Sequence, residues 1–329
     1  MPLPLTITII VISLLILFLA FILIASYATY KMIFKRKRRD YDPLYGLDKP
    51  AYAVHKDTVI RMVGRISEEP FEPVSIIARD GVRLYGRYYH RSDGAPIHLI
   101  CHGYKSSPLR DGAGGGLDAL RLGHNLLLIY QRAHGESEGE TITFGILERY
   151  DIRDWASYLT DRLGEDAEII LIGTSMGGAS VLMAAELDLP KTVKCIISDC
   201  PYSKPKDIIL SVAKQRGYPP ALVYPFIRLG ARIFGGFDLE AVSGIEAIKH
   251  SGIPILIAHG EADTLVPQKM SRELHRAALE AGVDCTLMTF PGAEHCLSFI
   301  TNYDSYVEKR DIFLKKHIKH FSRTEGGNE

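Results

Sequence analysis

Between residues 96 and 290 the chain repeatedly places a short run that is apolar throughout next to a longer stretch with helical spacing. The runs are PIHLICH (96–102), NLLLIY (125–130), EIILIG (168–173), VKCIISD (193–199), PILIAH (254–259) and DCTLMTF (284–290). Helical patterns fall near 112–122, 147–163, 176–187 and 267–281, with a last one at 303–320. Strands apolar on both sides must be covered on both sides, as in a parallel sheet whose crossover helices pack on its two faces. Upstream, EPVSIIAR (72–79) and VRLYGRYYH (82–90) are joined by Asp80-Gly81, a hairpin signal that adds an antiparallel edge. The expected class is α/β, with a mostly parallel central sheet flanked by helices.

One stretch breaks the alternation. Residues 202–250 are about twice the length of an ordinary crossover and read as helical pieces at 205–215, 220–234 and 240–249. Gly217-Tyr218-Pro219-Pro220 and Gly235-Gly236 separate them. Long ordered excursions are usually functional, and this one has the size of a helical cap over a pocket. A helical hairpin without such a role is the other reading.

The front of the chain is of a different kind. From Leu5 to Ala28 no residue is charged, and at 1.5 Å per residue such a helix crosses a hydrocarbon core of ~30 Å. No Lys or Arg precedes this run, whereas Lys31, Lys35, Arg36, Lys37, Arg38 and Arg39 follow it. A cleavable signal peptide has the opposite arrangement. The positive-inside rule therefore makes residues 1–30 an uncleaved, single-pass membrane anchor and puts the remainder in the cytoplasm. The cluster at 31–39 would lie among anionic headgroups, each basic residue adding about 1 kcal/mol of attraction. Residues 31–70, punctuated by Pro43, Gly46 and Pro50 and with a modest helical pattern at 55–65, read as a basic juxtamembrane segment and lead-in. A catalytic domain follows at 71–322 and a disordered tail at 323–329.

The whole chain has equal numbers of acidic and basic residues, 39 of each. Beyond residue 39 there are 33 basic against 39 acidic residues, which leaves no basic footprint for nucleic acid. Cys101, Cys195, Cys200, Cys285 and Cys296 show no CxxC or zinc spacing and read as free, mostly buried thiols in a reducing compartment.

The chemistry lies at the strand ends. In EIILIGTSMGGASVLMAAEL the sequence Gly173-Thr174-Ser175-Met176-Gly177 occupies a strand-to-helix turn. Its small residues permit a sharp bend, and the free N–H groups of the helix start point at the exposed hydroxyl. A serine needs a base and an orienting acid to act as a nucleophile. PILIAH runs into Gly260-Glu261-Ala262-Asp263, and DCTLMTF into Pro291-Gly292-Ala293-Glu294-His295. Asp263 and His295 thus supply those types in the order Ser, Asp, His. Two backbone donors would complete an oxyanion hole: the N–H of Met176 and that of Tyr104, which follows the strand end at His102-Gly103. His102 is expected to organise this loop rather than to serve as a second base.

With these motifs, residues 72–320 resemble an α/β-hydrolase, through the His-Gly-Tyr loop, the elbow GTSMGG, the acid motif HGEADTLVP and the terminal GAEH. The segments QRAHGESEG and ITFGILERYDIRDW are similar to those of bacterial serine hydrolases and esterases anchored by one span. The family pattern D-x-R-G-H-G has Gln131 here in place of its aspartate, and Arg132 is placed to pair with Glu148 or Asp151. Ser175 argues against relatives with an aspartate nucleophile. The resemblance implies acyl transfer from an ester or thioester to water, without a cofactor or metal. GAGGG (112–116) lacks the spacing of a nucleotide loop, and Asp263, Glu261 and His295 lack that of metal ligands. Tyr104, Met176, Pro201, Tyr202 and Cys296, with Tyr218, Tyr224, Phe226 and Phe234 of the cap, are expected to line an apolar acyl pocket. An amidase or peptidase using the same residues is one alternative, and a catalytically silent, membrane-anchored binding protein is another. Protein partners are not legible.

Overall fold

The computed structural model describes residues 3–36, 43, 44, 47 and 50–321. Lys37, Arg38 and Arg39 of the basic cluster and the tail at 323–329 lie outside the described residues.

Helix α1 (Leu3–Ile33) buries only Ser26 and Tyr30, and the apolar side chains above them stand open, Leu17 and Ile24 at 66% and 68% exposure. It is long and apolar enough to cross a membrane. Helices α2 (Pro50–Ala53) and α3 (Lys56–Glu68) follow. Val59, Val63 and Ile66 recur at helical spacing and bury one face of α3. They pack with Leu117, Leu120, Leu126 and Leu128, so this part of the lead-in is built into the body of the fold.

The sheet contains β1 (Glu72–Ile77), β2 (Arg83–Tyr89), β3 (Ile97–Cys101), β4 (Asn125–Ile129), β5 (Ile169–Thr174), β6 (Val193–Asp199), β7 (Ile255–Gly260) and β8 (Cys285–Phe290). Their order is β1-β2-β4-β3-β5-β6-β7-β8. Strand β2 is antiparallel to both neighbours and all other pairings are parallel. Each expected strand is present, and β3, β4 and β7 are buried along their whole length. One core lies on one face around Trp155, Leu159, Val181 and Leu274, and others lie on the opposite face around Ile100 and Phe313.

The crossovers are α4 (Pro108–Arg121), α5 (Glu148–Leu163), α6 (Met176–Ala184), a cap of α7 (Pro205–Gln215), α8 (Pro220–Gly235) and α9 (Gly244–Ile248), then α10 (Lys269–Glu280). Helices α11 (Ser298–Thr301) and α12 (Tyr303–His317) complete the fold. Two helix starts depart most from expectation, by four residues each. Helix α4 starts four residues early because the Ser107 hydroxyl caps the Arg110 N–H at 3.2 Å and Pro108 opens the helix. Its glycines serve packing, since a Cβ at Gly112 would meet Leu128 at 2.7 Å. The third cap piece is shorter than expected because Asp238 and Glu240 are held in a loop by Arg232 and Arg228.

Candidate active site

Strand β5 delivers Ser175 in a backbone conformation that non-glycine residues rarely adopt, φ +56° and ψ −113°. Two glycines make the bend possible. A Cβ at Gly173 would lie 2.2 Å from the Gly177 carbonyl oxygen, and one at Gly177 would lie 2.1 Å from that of Cys101. The Ser175 N–H donates to the Asp199 carbonyl at 2.8 Å and holds the turn against β6. Strain of this kind costs about 1–3 kcal/mol and persists where the surroundings impose it.

Three strand ends converge there. Ser175 Oγ lies 2.9 Å from His295 Nε2, and His295 Nδ1 lies 2.7 Å from Asp263 Oδ2. The carboxylate only accepts, so Nδ1 carries the proton and Nε2 is left to accept from the hydroxyl. Asp263 is held in turn: Oδ1 accepts the N–H groups of Leu265 and Val266 at 2.9 and 2.8 Å. His259 also faces Oδ2, at 3.3 Å. Its Nε2 lies 2.9 Å from the Val266 carbonyl, which fixes the proton on Nε2, and Nδ1 accepts from the Ser271 hydroxyl at 2.6 Å. Burial pushes the Asp263 carboxyl up, but the hydrogen bonds from His259 and His295 outweigh it and hold the group well below its ordinary range. Burial likewise pushes His295 down. The neighbouring Cys200 sulfur and Asp263 reverse this and hold the imidazole well above its ordinary value. Because burial keeps the Cys200 thiol protonated, Asp263 carries that effect.

The loop after β3 packs against the serine. A Cβ at Gly103 would lie 3.3 Å from that of Ser175, so the loop that carries Tyr104 abuts the serine turn. Met176 opens α6, where N–H groups have no partner within the helix. His102 organises the loop, donating from Nδ1 to the Gly103 carbonyl at 2.8 Å and accepting the Gln131 N–H on Nε2 at 3.2 Å. The Gln131 side-chain amide donates to the His102 carbonyl, a contact an aspartate could not make. His134 repeats the pattern, accepting the Lys105 N–H at 3.0 Å. Burial pushes both histidines down, so they remain neutral.

Ser175, Asp263 and His295, with Gly173, Met176 and Gly177 of the elbow and His102, Gly103 and Tyr104 of the loop after β3, therefore lie at one end of the sheet. Residues 145–321, more than half of the chain, match the prolyl oligopeptidase family model. The chain belongs to this family.

It is an α/β-hydrolase. It is 25% identical over 235 residues to the uncharacterized protein YqkD of Bacillus subtilis, which covers 71% of this chain and 76% of YqkD. It is 31% identical over 137 residues to the thiohydrolase aneE of Aspergillus aculeatus, covering 41% of this chain and 42% of that one. The Pyrococcus furiosus esterase Pf2001 superimposes with a TM-score of 0.62 at 22% identity, covering 77% of this chain and 94% of the esterase.

Other features of this prolyl oligopeptidase family member were hidden in its sequence. Asp111, in the first turn of α4, accepts the Gly103 N–H and the Ser106 hydroxyl at 2.7 Å each, pinning the loop beside Ser175. The Tyr52 hydroxyl of α2 donates to the His295 carbonyl at 3.3 Å. Neither residue stands in a motif, because each reaches the site from a neighbouring helix. Arg132 pairs with Asp151 through two 2.6 Å hydrogen bonds and with Asp80 at 2.8 Å. Glu148 instead accepts the Thr143 and Gly145 N–H groups, 2.8 Å each. Cys200 and Cys296 approach to 3.5 Å beside His295. Their ligand atoms and one of that histidine lie within 4.8 Å of one another. A cation there would have to take an imidazole nitrogen from Ser175 or Asp263.

The cap aromatics correct the expectation of a pocket lined by Tyr218, Tyr224, Phe226 and Phe234. Phe226 packs on Phe21 and Phe234 on Tyr27, Tyr218 is half exposed, and the Tyr224 hydroxyl donates to Glu240. Phe226 and Phe234 thus contact α1, whereas Tyr224 also packs against the apolar cluster that contains Met176 and Tyr202. Met176 and Tyr202 do lie in one apolar cluster with Phe144 and Ile227, and Tyr104 packs against it.

Proposed function

We propose that the chain is a serine-dependent acyl hydrolase of carboxylic esters or thioesters. The observation carrying this reading is the line Ser175 Oγ, His295, Asp263, with separations of 2.9 and 2.7 Å. In the reaction, Ser175 Oγ bonds to the acyl carbon as its proton passes to His295 Nε2. The N–H groups of Tyr104 and Met176 hold the oxyanion, each such donor contributing about 3 kcal/mol. His295 then protonates the departing alcohol or thiol, leaving an acyl-serine. Water, deprotonated by the same imidazole, releases the acid and restores Ser175. Asp263 holds the tautomer and stabilises the imidazolium.

Family membership favours a second reading, cleavage of amide or peptide bonds by the same residues. Parallel turnover of p-nitrophenyl esters and aminoacyl p-nitroanilides separates the two: ester turnover is expected to dominate, and amide turnover with negligible ester turnover reverses the assignment. A silent binding protein would have no need of the serine–histidine–aspartate line.

Residues 1–30 are proposed as a retained anchor, with residues 71–322 as the catalytic domain and 202–250 as its cap. Support comes from the foot of α1. Within residues 1–30, the Tyr30 hydroxyl bonds that of Thr141 at 2.9 Å and Tyr27 packs on Phe234 at 5.1 Å, and just after them the Ile33 carbonyl accepts the Tyr104 hydroxyl at 2.6 Å. Removing this helix as a signal peptide would strip contacts from the catalytic body.

A further inference from the structure

The cap and the N-terminal helix are packed along one another. Phe21 meets Phe226 edge-on at 6.0 Å, and Tyr27 meets Phe234 at 5.1 Å. Between them Thr29 Oγ1 donates to the Phe226 carbonyl at 3.2 Å, and a Cβ at Gly230 would lie 2.3 Å from the Ser26 carbonyl oxygen. Contacts advance in the same direction along both chains, so α1 and α8 run parallel. The leading end of α8 therefore lies toward the middle of α1, beside its uncharged run, and the trailing end lies toward its foot. Residues 218–227, YPPALVYPFI, contain no charge. Leu222, one turn before Phe226, is 65% exposed, and Tyr218 is 52% exposed. The first charged side chain in α8, Arg228, is turned to Glu240 at 2.9 Å.

A second observation runs inward from the same seam. Tyr30 and Phe34 at the foot of α1 share one apolar cluster with Ile227 and Ala231 of α8, with Phe144, and with Met176 next to Ser175. Phe34 lies 5.7 Å from Phe144, whose ring is 5.0 Å from that of Tyr104. Apolar side chains thus run from the lipid-compatible face to Met176 beside Ser175, with the Lys105 ammonium 4.7 Å from the Tyr104 ring.

We propose that the leading half of α8 inserts beside α1 into the leaflet nearer the catalytic body, and that the seam between them admits the acyl chain of a long-chain ester dissolved in that leaflet to Ser175. This deepens the acyl-hydrolase and anchor readings above and rests on both. Buried apolar area is what such a site offers a substrate, and the hydroxyl would meet the ester carbonyl where the acyl chain emerges from the bilayer.

Two readouts on the full chain in phosphatidylcholine vesicles test it. For Leu222→Trp, the added fluorescence should be quenched by lipid brominated on its acyl chains. The chain's one native tryptophan, Trp155, is fully buried in the core and remains as background. Unquenched added fluorescence overturns the insertion. In the second readout, turnover of vesicle-borne 4-methylumbelliferyl palmitate is divided by that of dissolved p-nitrophenyl butyrate. Leu222→Glu, at an exposed position that does not bear on folding, should lower this ratio about tenfold. An unchanged ratio, or wild-type protein that hydrolyses butyrate but not the vesicle-borne ester, overturns the substrate class. Failure of the wild type on butyrate overturns the underlying ester reading instead, while the quenching result still reports on the leaflet.

Discussion

At the residue scale, His295 sets the pH response of the proposed reaction. An imidazolium cannot take the serine proton, so activity requires the neutral ring. Asp263 stabilises the charged form and lifts the imidazole above its usual value of 6.5. The acid limb of kcat/KM should therefore lie above that value, with activity rising as pH rises through it. Asp263→Asn should move the limb down and lower kcat by about 10⁴-fold, because the ring loses its tautomer and its counter-charge. A pH–rate profile of both proteins checks the sign. A limb that stays in place in the variant would remove Asp263 from its role. Arg132 is a separate case. Its pairing with Asp151 is buried, both side chains being 6% or less exposed. Arg132→Ala leaves that carboxylate uncompensated and should cost about 3–5 kcal/mol of stability in urea titrations.

Legibility is best discussed at the scale of elements. The strands were readable because residues such as Ile97–Cys101 are buried on both faces, which leaves an uninterrupted apolar run in the sequence. The site was readable for a related reason: β5, β7 and β8 are parallel, β7 beside β8 and β5 one strand away across β6, so residues just past each run emerge at the same end of the sheet. Phe226 and Phe234 were misread because their partners, Phe21 and Tyr27, lie about two hundred residues away, and helical periodicity reports which face is apolar but not what covers it. Asp111 and His259 went unread since a carboxylate in a first helical turn and a histidine ending a strand have many ordinary uses. The foot of α1 gives this scale its prediction. Phe34 packs edge-on against Phe144 and Phe237 at 5.7 and 5.3 Å. Phe34→Ala should destabilise the protein by about 3–5 kcal/mol, measurable by thermal unfolding in detergent. A loss near zero would make the foot a passive linker.

At the scale of the whole molecule, an apolar helix, a cap and a hydrolase body are joined through one segment, residues 30–36. Its ties reach the loop carrying Tyr104, the cap helix beside Gly235 and the segment between Ala133 and Phe144. In a chain anchored by α1, as proposed, such an arrangement would orient the site relative to the membrane, where a flexible tether would only concentrate it. With the basic cluster on the side of the catalytic body, protease added outside intact cells should leave that body uncut. Cleavage without permeabilisation would reverse the topology.

The central claim is that Ser175 is a nucleophile activated by His295. The most direct measurement is labelling of the detergent-solubilised full chain with a fluorophosphonate, beside Ser175→Ala. The account predicts stoichiometric labelling of the wild type at Ser175 and none in the variant. Equal labelling of both, or a folded wild type that never reacts, would contradict it.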